Sequence, residues 1–185
     1  NPDDCYAFCR DMVERYPELH FDFHAHNDYD LAVANVAAAV KAGVQGIHTT
    51  VNGLGERAGN APLSSVIAVL NDHLKVRNTI VEKSINHVSR IVETYTGIHI
   101  PANEPVVGEN VFTQCAGIHA DGDNKDNLYY NDLLPERFGR VREYALGKMS
   151  GKANIKKNLD TLGIDLDEEA MRKVTERIIE LGDKK

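Results

Sequence analysis

The sequence predicts an α/β fold, with parallel strands at the front of the chain and a mainly helical remainder. Three observations carry that prediction. Two short stretches, residues 19–25 and 46–51, are separated and followed by helix-sized segments, and connections of that size join parallel strands. The first stretch alternates, with Phe21, Phe23 and Ala25 on one side and His20, Asp22, His24 and His26 on the other, which is the period of a strand. After about Val76 the strand signals stop, and segments with apolar stripes at three- and four-residue spacing take over.

The elements follow in order. Asn1-Pro2-Asp3-Asp4 reads as a helix start, with Asn as the cap, proline at the first helical position and acids in the first turn. Cys5, Phe8, Cys9 and Met12 give that helix its stripe, and Pro17 ends it. Because the chain opens on an element boundary and not on Met, it is expected to be a piece of a longer protein. Strand 19–25 precedes an Ala/Val-rich helix over 31–41, stopped by Gly43. Strand 46–51 leads through a glycine-rich loop to a helix over 62–73. Two parallel strands cannot bury both faces of a sheet, so further strands are required from elsewhere. Residues 84–95 form the next helix, with Ile85, Val88, Ile91 and Val92 on one face. The polar stretch 98–130 is expected to hold short helices and functional loops. Helices over 150–162 and 167–181 close the chain, the second with Asp167, Glu168 and Glu169 at its start.

Composition narrows the function classes. A net charge of −7 argues against a nucleic-acid or anionic-membrane binder, which needs a surplus of Lys and Arg. No apolar run approaches the roughly 20 residues of a spanning helix. Cys5, Cys9 and Cys115 are an odd, sparse set, expected to be reduced thiols in a cytoplasmic protein. The Cys5/Cys9 pair is expected to pack on a helix face, because nothing nearby completes a tetrahedral metal set.

Two segments concentrate chemistry. His24-Ala25-His26-Asn27-Asp28 sits at the end of the first strand, where parallel α/β proteins place their sites. Histidines at i and i+2 project to one face and suit a shared ion. Taken alone, the pair leaves open a plain alternative: two histidines hydrogen-bonded within a polar layer. The second segment, Asn52-Gly53-Leu54-Gly55-Glu56-Arg57-Ala58-Gly59-Asn60-Ala61, follows the second strand at the same end. Its glycines permit tight turns, and a structural turn does not require Glu56, Arg57 and Asn60 together.

In combination, the H-x-H-N-D and N-G-x-G-E-R-A-G-N-A patterns resemble the metal-dependent condensing enzymes that include 2-isopropylmalate, homocitrate and citramalate synthases. Leu31 to Asn35, Gly117 to Gly122, Tyr130, Pro135-Glu136 and Gly147 to Gly151 extend the likeness over nearly the whole chain. The resemblance implies the C-terminal part of a (β/α)8 TIM barrel, residues 1–76 holding its last two βα units (strands seven and eight), with small, mainly helical post-barrel subdomains over 77–185. It implies His24, His26 and Asn60 as ligands of a divalent metal (Mg, Mn or Zn). It implies His119 and Tyr130 as catalytic residues reaching the partner's active site in a homodimer. The implied reaction condenses acetyl-CoA with a 2-oxo acid, as in leucine biosynthesis, and the other synthases of the family remain alternatives. A non-catalytic assembly module or split subunit is the alternative of another class.

Two departures stand out. The family usually has Gly at the position of Asp30, where the carboxylate either alters substrate choice or, as expected here, caps the following helix. The family's first-strand metal-binding Asp is absent from this sequence, so the isolated chain is expected to be inactive. His20, His48, His73, His87 and His99 read as packed or solvated, and Lys148, Lys152, Lys156 and Lys157 as a solvated helix face.

Overall fold

A computed structural model describes residues 1–116, 121–122 and 132–184. The chain is a mixed α/β protein that divides into two units, Asn1–Val111 with Arg137–Gly139, and Phe112–Glu136 with Arg140–Lys185.

In the first unit, helix α1 (Pro2–Arg15) begins as its residues require: the Asn1 side chain accepts from the backbone N–H groups of Asp3 and Asp4. Strand β1 (Asp22–His24) pairs in parallel with β2 (Gly46–His48), placing Asp22 opposite Gly46, Phe23 opposite Ile47 and His24 opposite His48. Between them runs α2 (Ala32–Ala42), whose Ala32, Val36, Ala38, Ala39 and Ala42 are buried. Small side chains let α1 approach closely, and Cys9 joins Ala39 and Ala42 in a small core backed by Cys5, Phe23 and Val44. The two cysteines are therefore packing residues, and burial pushes the Cys5 thiol up to about 11, with Cys9 adding to it. The sequence expectation for α2's cap is corrected. Asp30 does not cap the helix; the Asn27 carboxamide accepts from Ala32 N at 3.0 Å and donates to Asp30 Oδ1 at 3.1 Å. Asp30 adopts φ +58, a left-handed conformation that Asp tolerates better than most residues.

Helix α3 (Leu63–Val69) continues into a π-helical turn, Leu70–Leu74. Helix α4 (Glu82–Thr96) ends at Gly97 in the left-handed region, and its Ser89 is tied to the signature loop. Asn52 Nδ2 donates to Ser89 O at 3.0 Å, and Ser89 Oγ donates to Asn52 Oδ1 at 2.6 Å. From residue 98 through residue 116 the polar stretch is made of turns and one two-residue strand, and residues 121–122 further along it are helical.

The second unit holds a two-residue parallel pair, β3 (Thr113–Gln114) and β4 (Glu143–Tyr144), with helices α5 (Lys152–Leu162) and α6 (Glu168–Asp183). Asn154 of α5 is fully buried and its amide satisfies the carbonyls of Cys115 and Ala145. Asp167 caps α6 through Ala170 N at 2.8 Å. Among the described residues, no helix is long and apolar enough to cross a membrane.

Candidate metal centre

The site grows out of the strand alternation. Phe21, Phe23 and Ala25 face inward to differing degrees, whereas His20, Asp22 and His24 are exposed on the opposite face and His26 is half-buried. Past the end of β1 the chain stays extended long enough for His26 to form an antiparallel bridge with Asn60. Backbone bonds from Asn27 N to Gly59 O (2.9 Å) and from Ala61 N to Ala25 O (3.1 Å) close the signature loop onto the H-x-H segment. The loop is compact because of its glycines: at Gly59, φ is +88 and an added Cβ would lie 2.1 Å from Gly53 O.

His24 Nε2 and His26 Nε2 stand 3.3 Å apart, their rings edge-on with centroids at 5.0 Å. Two nitrogens each bound at about 2.1 Å to one ion would be separated by roughly 3.0 Å at a right angle and about 3.4 Å at a tetrahedral angle. The observed spacing falls in that interval. The Asn60 carboxamide donates through Nδ2 to Leu54 O at 3.1 Å, which leaves Oδ1 buried and without a partner. Such an orphan acceptor is costly unless something binds it. Two imidazole nitrogens and an amide oxygen are a fit for a divalent ion, as part of a larger set. Among the described residues no group of three or more His, Cys, Asp and Glu side chains is placed to hold a metal. His26 Nδ1 is also buried and unpartnered, where metal-bound histidines ordinarily donate to an acceptor.

His119 and Tyr130 lie outside the described residues. Of the other histidines, His73, His87 and His99 are exposed, and His99 Nδ1 meets Glu93 at 3.2 Å. His48 and His20 are closer to the chemistry than sequence reading placed them. His48 lies beside His24, ring centroids 5.7 Å apart, and its Nε2 is 3.4 Å from Asp22 Oδ2. His20 Nε2 meets Asp22 Oδ1 at 2.9 Å. The signal for this cluster was the parallel register, which aligns His24 with His48 and is not visible from either strand by itself. Beside the two histidines, Asp28 takes a two-pronged contact from Arg57, 2.9 Å to Nε and 2.8 Å to Nη2. The hydrogen bonds from Arg57 hold the Asp28 carboxyl below the usual carboxylate range.

Comparison with known proteins finds relatives for both stretches of the chain. Residues 1–92 match the model of the HMGL-like family and residues 106–185 that of the homocitrate synthase post-HMGL domain-like family. A Methanopyrus kandleri protein named as an (R)-citramalate synthase is 41% identical over 184 residues, 99% of this chain and 36% of its own length. The homocitrate synthase of Sulfolobus acidocaldarius is 43% identical over 169 residues, 91% of this chain and 36% of its own. A second Methanopyrus kandleri protein, named as a 2-isopropylmalate synthase, is 40% identical over 183 residues, again 99% and 36%. The chain thus spans about a third of the length of these relatives. On the matches to both of its stretches, the chain belongs to the HMGL-like family, its second stretch being of the homocitrate synthase post-HMGL kind, and the relatives that share both stretches are named as citramalate, homocitrate and 2-isopropylmalate synthases.

Proposed function

We propose that this chain is part of an acyltransferase that condenses acetyl-CoA with a 2-oxo acid, of the 2-isopropylmalate synthase type that serves leucine biosynthesis. In this reading residues 1–76 are the last two βα units of a (β/α)8 barrel and residues 77–185 the subdomains that follow it. The observation that carries it is the 3.3 Å approach of two imidazole Nε2 atoms beside an Asn60 carboxamide whose oxygen has no partner.

His24, His26 and Asn60 would hold a divalent cation, Mg, Mn or Zn. Bound there, it would supply Lewis acidity toward the carbonyl of the 2-oxo acid. The protein's own groups do the rest. The signature loop, closed onto the strand end by backbone bonds, fixes the donors in advance, so that no reorganisation is needed when substrate arrives. His119 is proposed to move the proton as general base or acid, with Tyr130 as the second catalytic residue. By resemblance these two residues reach the partner's site in a homodimer. The remaining donor and most 2-oxo acid contacts would come from barrel strands beyond this chain, so the 185 residues by themselves should show little turnover. Orientation alone supplies roughly 7–11 kcal/mol of a barrier reduction. Homocitrate and citramalate synthesis share every motif present here and differ in the 2-oxo acid side chain.

The test is thiol release from acetyl-CoA by a polypeptide of the relatives' length that carries this chain. It should be run with 2-oxo acids bearing branched, short and carboxylate-terminated side chains. Release with the branched acid in excess of the others supports the 2-isopropylmalate reading. Release with another acid moves the assignment within the family, and none with any acid removes the enzymatic proposal. A second reading, an assembly module, is favoured by one feature: β1 and β2 form a sheet of only two strands among the described residues, and open strand edges drive association. A monomeric chain in sedimentation would remove it.

A further inference from the structure

The signature loop has a stem and a tip, and different forces hold them. The stem, residues 59–61, is bonded to the H-x-H segment through backbone groups: Asn27 N to Gly59 O, Ala61 N to Ala25 O, and the His26–Asn60 bridge. The tip, residues 54–58, is exposed from Gly55 to Ala58. Among the described residues, one side-chain contact joins it to that segment, the two-pronged Arg57–Asp28 pair at 2.9 and 2.8 Å.

Arg57 sits at φ +58, a conformation long side chains rarely adopt and one that glycine would take without strain. Ordinary turn chemistry would not place arginine there. What the position gains is a planar guanidinium matched to a carboxylate across the mouth of the loop. The tip in turn governs a ligand. Leu54 O accepts from Asn60 Nδ2 at 3.1 Å, and that bond decides which end of the carboxamide is left free. Gly55 closes the arrangement from the other side, since a Cβ there would lie 2.5 Å from Asn60 Nδ2.

We infer that Arg57 is a positioning residue: its grip on Asp28 holds the loop tip so that Leu54 O fixes the Asn60 carboxamide with Oδ1 presented for a divalent cation. The inference deepens the metal reading above and rests on it for its functional meaning, but the mechanical claim stands or falls without any metal. Exposed ion pairs contribute little to global stability. This one links segments 29 residues apart, and it acts on local order more than on the folding equilibrium.

The experiment uses the 185-residue chain, metal-free, with amide exchange followed by NMR. Arg57→Gly removes the grip and at the same time relieves the backbone, so the variant folds at least as readily as the parent. Exchange at the Asn60 backbone N–H, which is bonded to Gly53 O at 2.9 Å, and at the Asn60 side-chain amide should quicken about threefold to tenfold. The urea midpoint should stay level or rise. Asp28→Asn should reproduce the effect, and Arg57→Lys should show part of it, since a lysine keeps the charge without the fork. Unchanged exchange in Arg57→Gly and Asp28→Asn would overturn the inference. A Co²⁺ titration of a polypeptide of the relatives' length that carries this chain, with and without the same substitutions, separates the two readings. If the parent binds no Co²⁺ while exchange quickens as stated, the positioning role holds and the metal reading fails. If both hold, Co²⁺ affinity falls in Arg57→Gly by a factor similar to the exchange change.

Discussion

Two polar clusters in the first unit are built on opposite terms. Around Arg137 every charged group is matched: Nη1 meets Asp72 at 2.7 Å, Nε and Nη2 meet Glu82 at 3.0 and 2.6 Å, and Asn71 donates to Glu82 at 2.8 Å. The guanidinium also lies 5.2 Å from the centroid of Phe138, which is wholly buried. Around His24 and His26 the opposite holds. Asn60 Oδ1 and His26 Nδ1 are buried with nothing to bond, and two imidazoles face each other at 3.3 Å. A satisfied network is a structural device, while a cluster with orphaned polar atoms gives up stability and suits the proposed metal site.

The largest effect should come from breaking the satisfied cluster. Arg137→Ala leaves Asp72 and Glu82, with side chains only 11% and 18% exposed, as uncompensated carboxylates. Removing one member of a buried pair costs 3–5 kcal/mol, and partial exposure here reduces that to about 2–3 kcal/mol, read as a fall in the urea midpoint. His24→Ala should behave in reverse: a stability change within about 0.5 kcal/mol, because the ring is exposed, but loss of Co²⁺ binding in a polypeptide of the relatives' length. Should His24→Ala unfold the chain, the contrast between the clusters would fail.

Acid provides a finer probe. The hydrogen bonds from Arg137 hold the Glu82 carboxyl below its usual range. A carboxyl lowered on folding contributes stability that is present above its unfolded value, about 4.3, and is lost as pH falls through the folded value. Stability should therefore decline below about pH 4.3 in the parent, and this limb should flatten in Arg137→Ala. An equal acid limb in both proteins would detach Glu82 from Arg137.

How much of this was legible follows the range of the interactions. The Asn1 and Asp167 caps act within three residues, and both could be read directly. The two-histidine pair was readable because strand alternation alone sets its face. His48 was not, since its place beside His24 depends on register. The cap on α2 was assigned to the wrong residue: Asn27 reaches over a left-handed Asp30, and propensity offered either side chain. The Arg137 cluster joins residues 55 and 65 positions apart, and no local pattern announces such a pairing.

The smallest effect concerns Glu104, whose behaviour mirrors that of Glu82. Burial raises its carboxyl above the usual range, and the negative charge of Asp30 raises it further. A carboxyl raised on folding contributes stability present below its unfolded value of about 4.3 and lost as pH rises through the folded value. At neutral pH Glu104 is therefore a mild liability, and Glu104→Gln should gain a few tenths of a kcal/mol. The gain should vanish below about pH 4, where the parent carboxyl is neutral as well. Asp30→Asn should return a smaller part of it, because it removes the lesser cause and leaves burial in place. Equal gains from the two substitutions would mean that repulsion between the carboxylates, and not desolvation, governs this position.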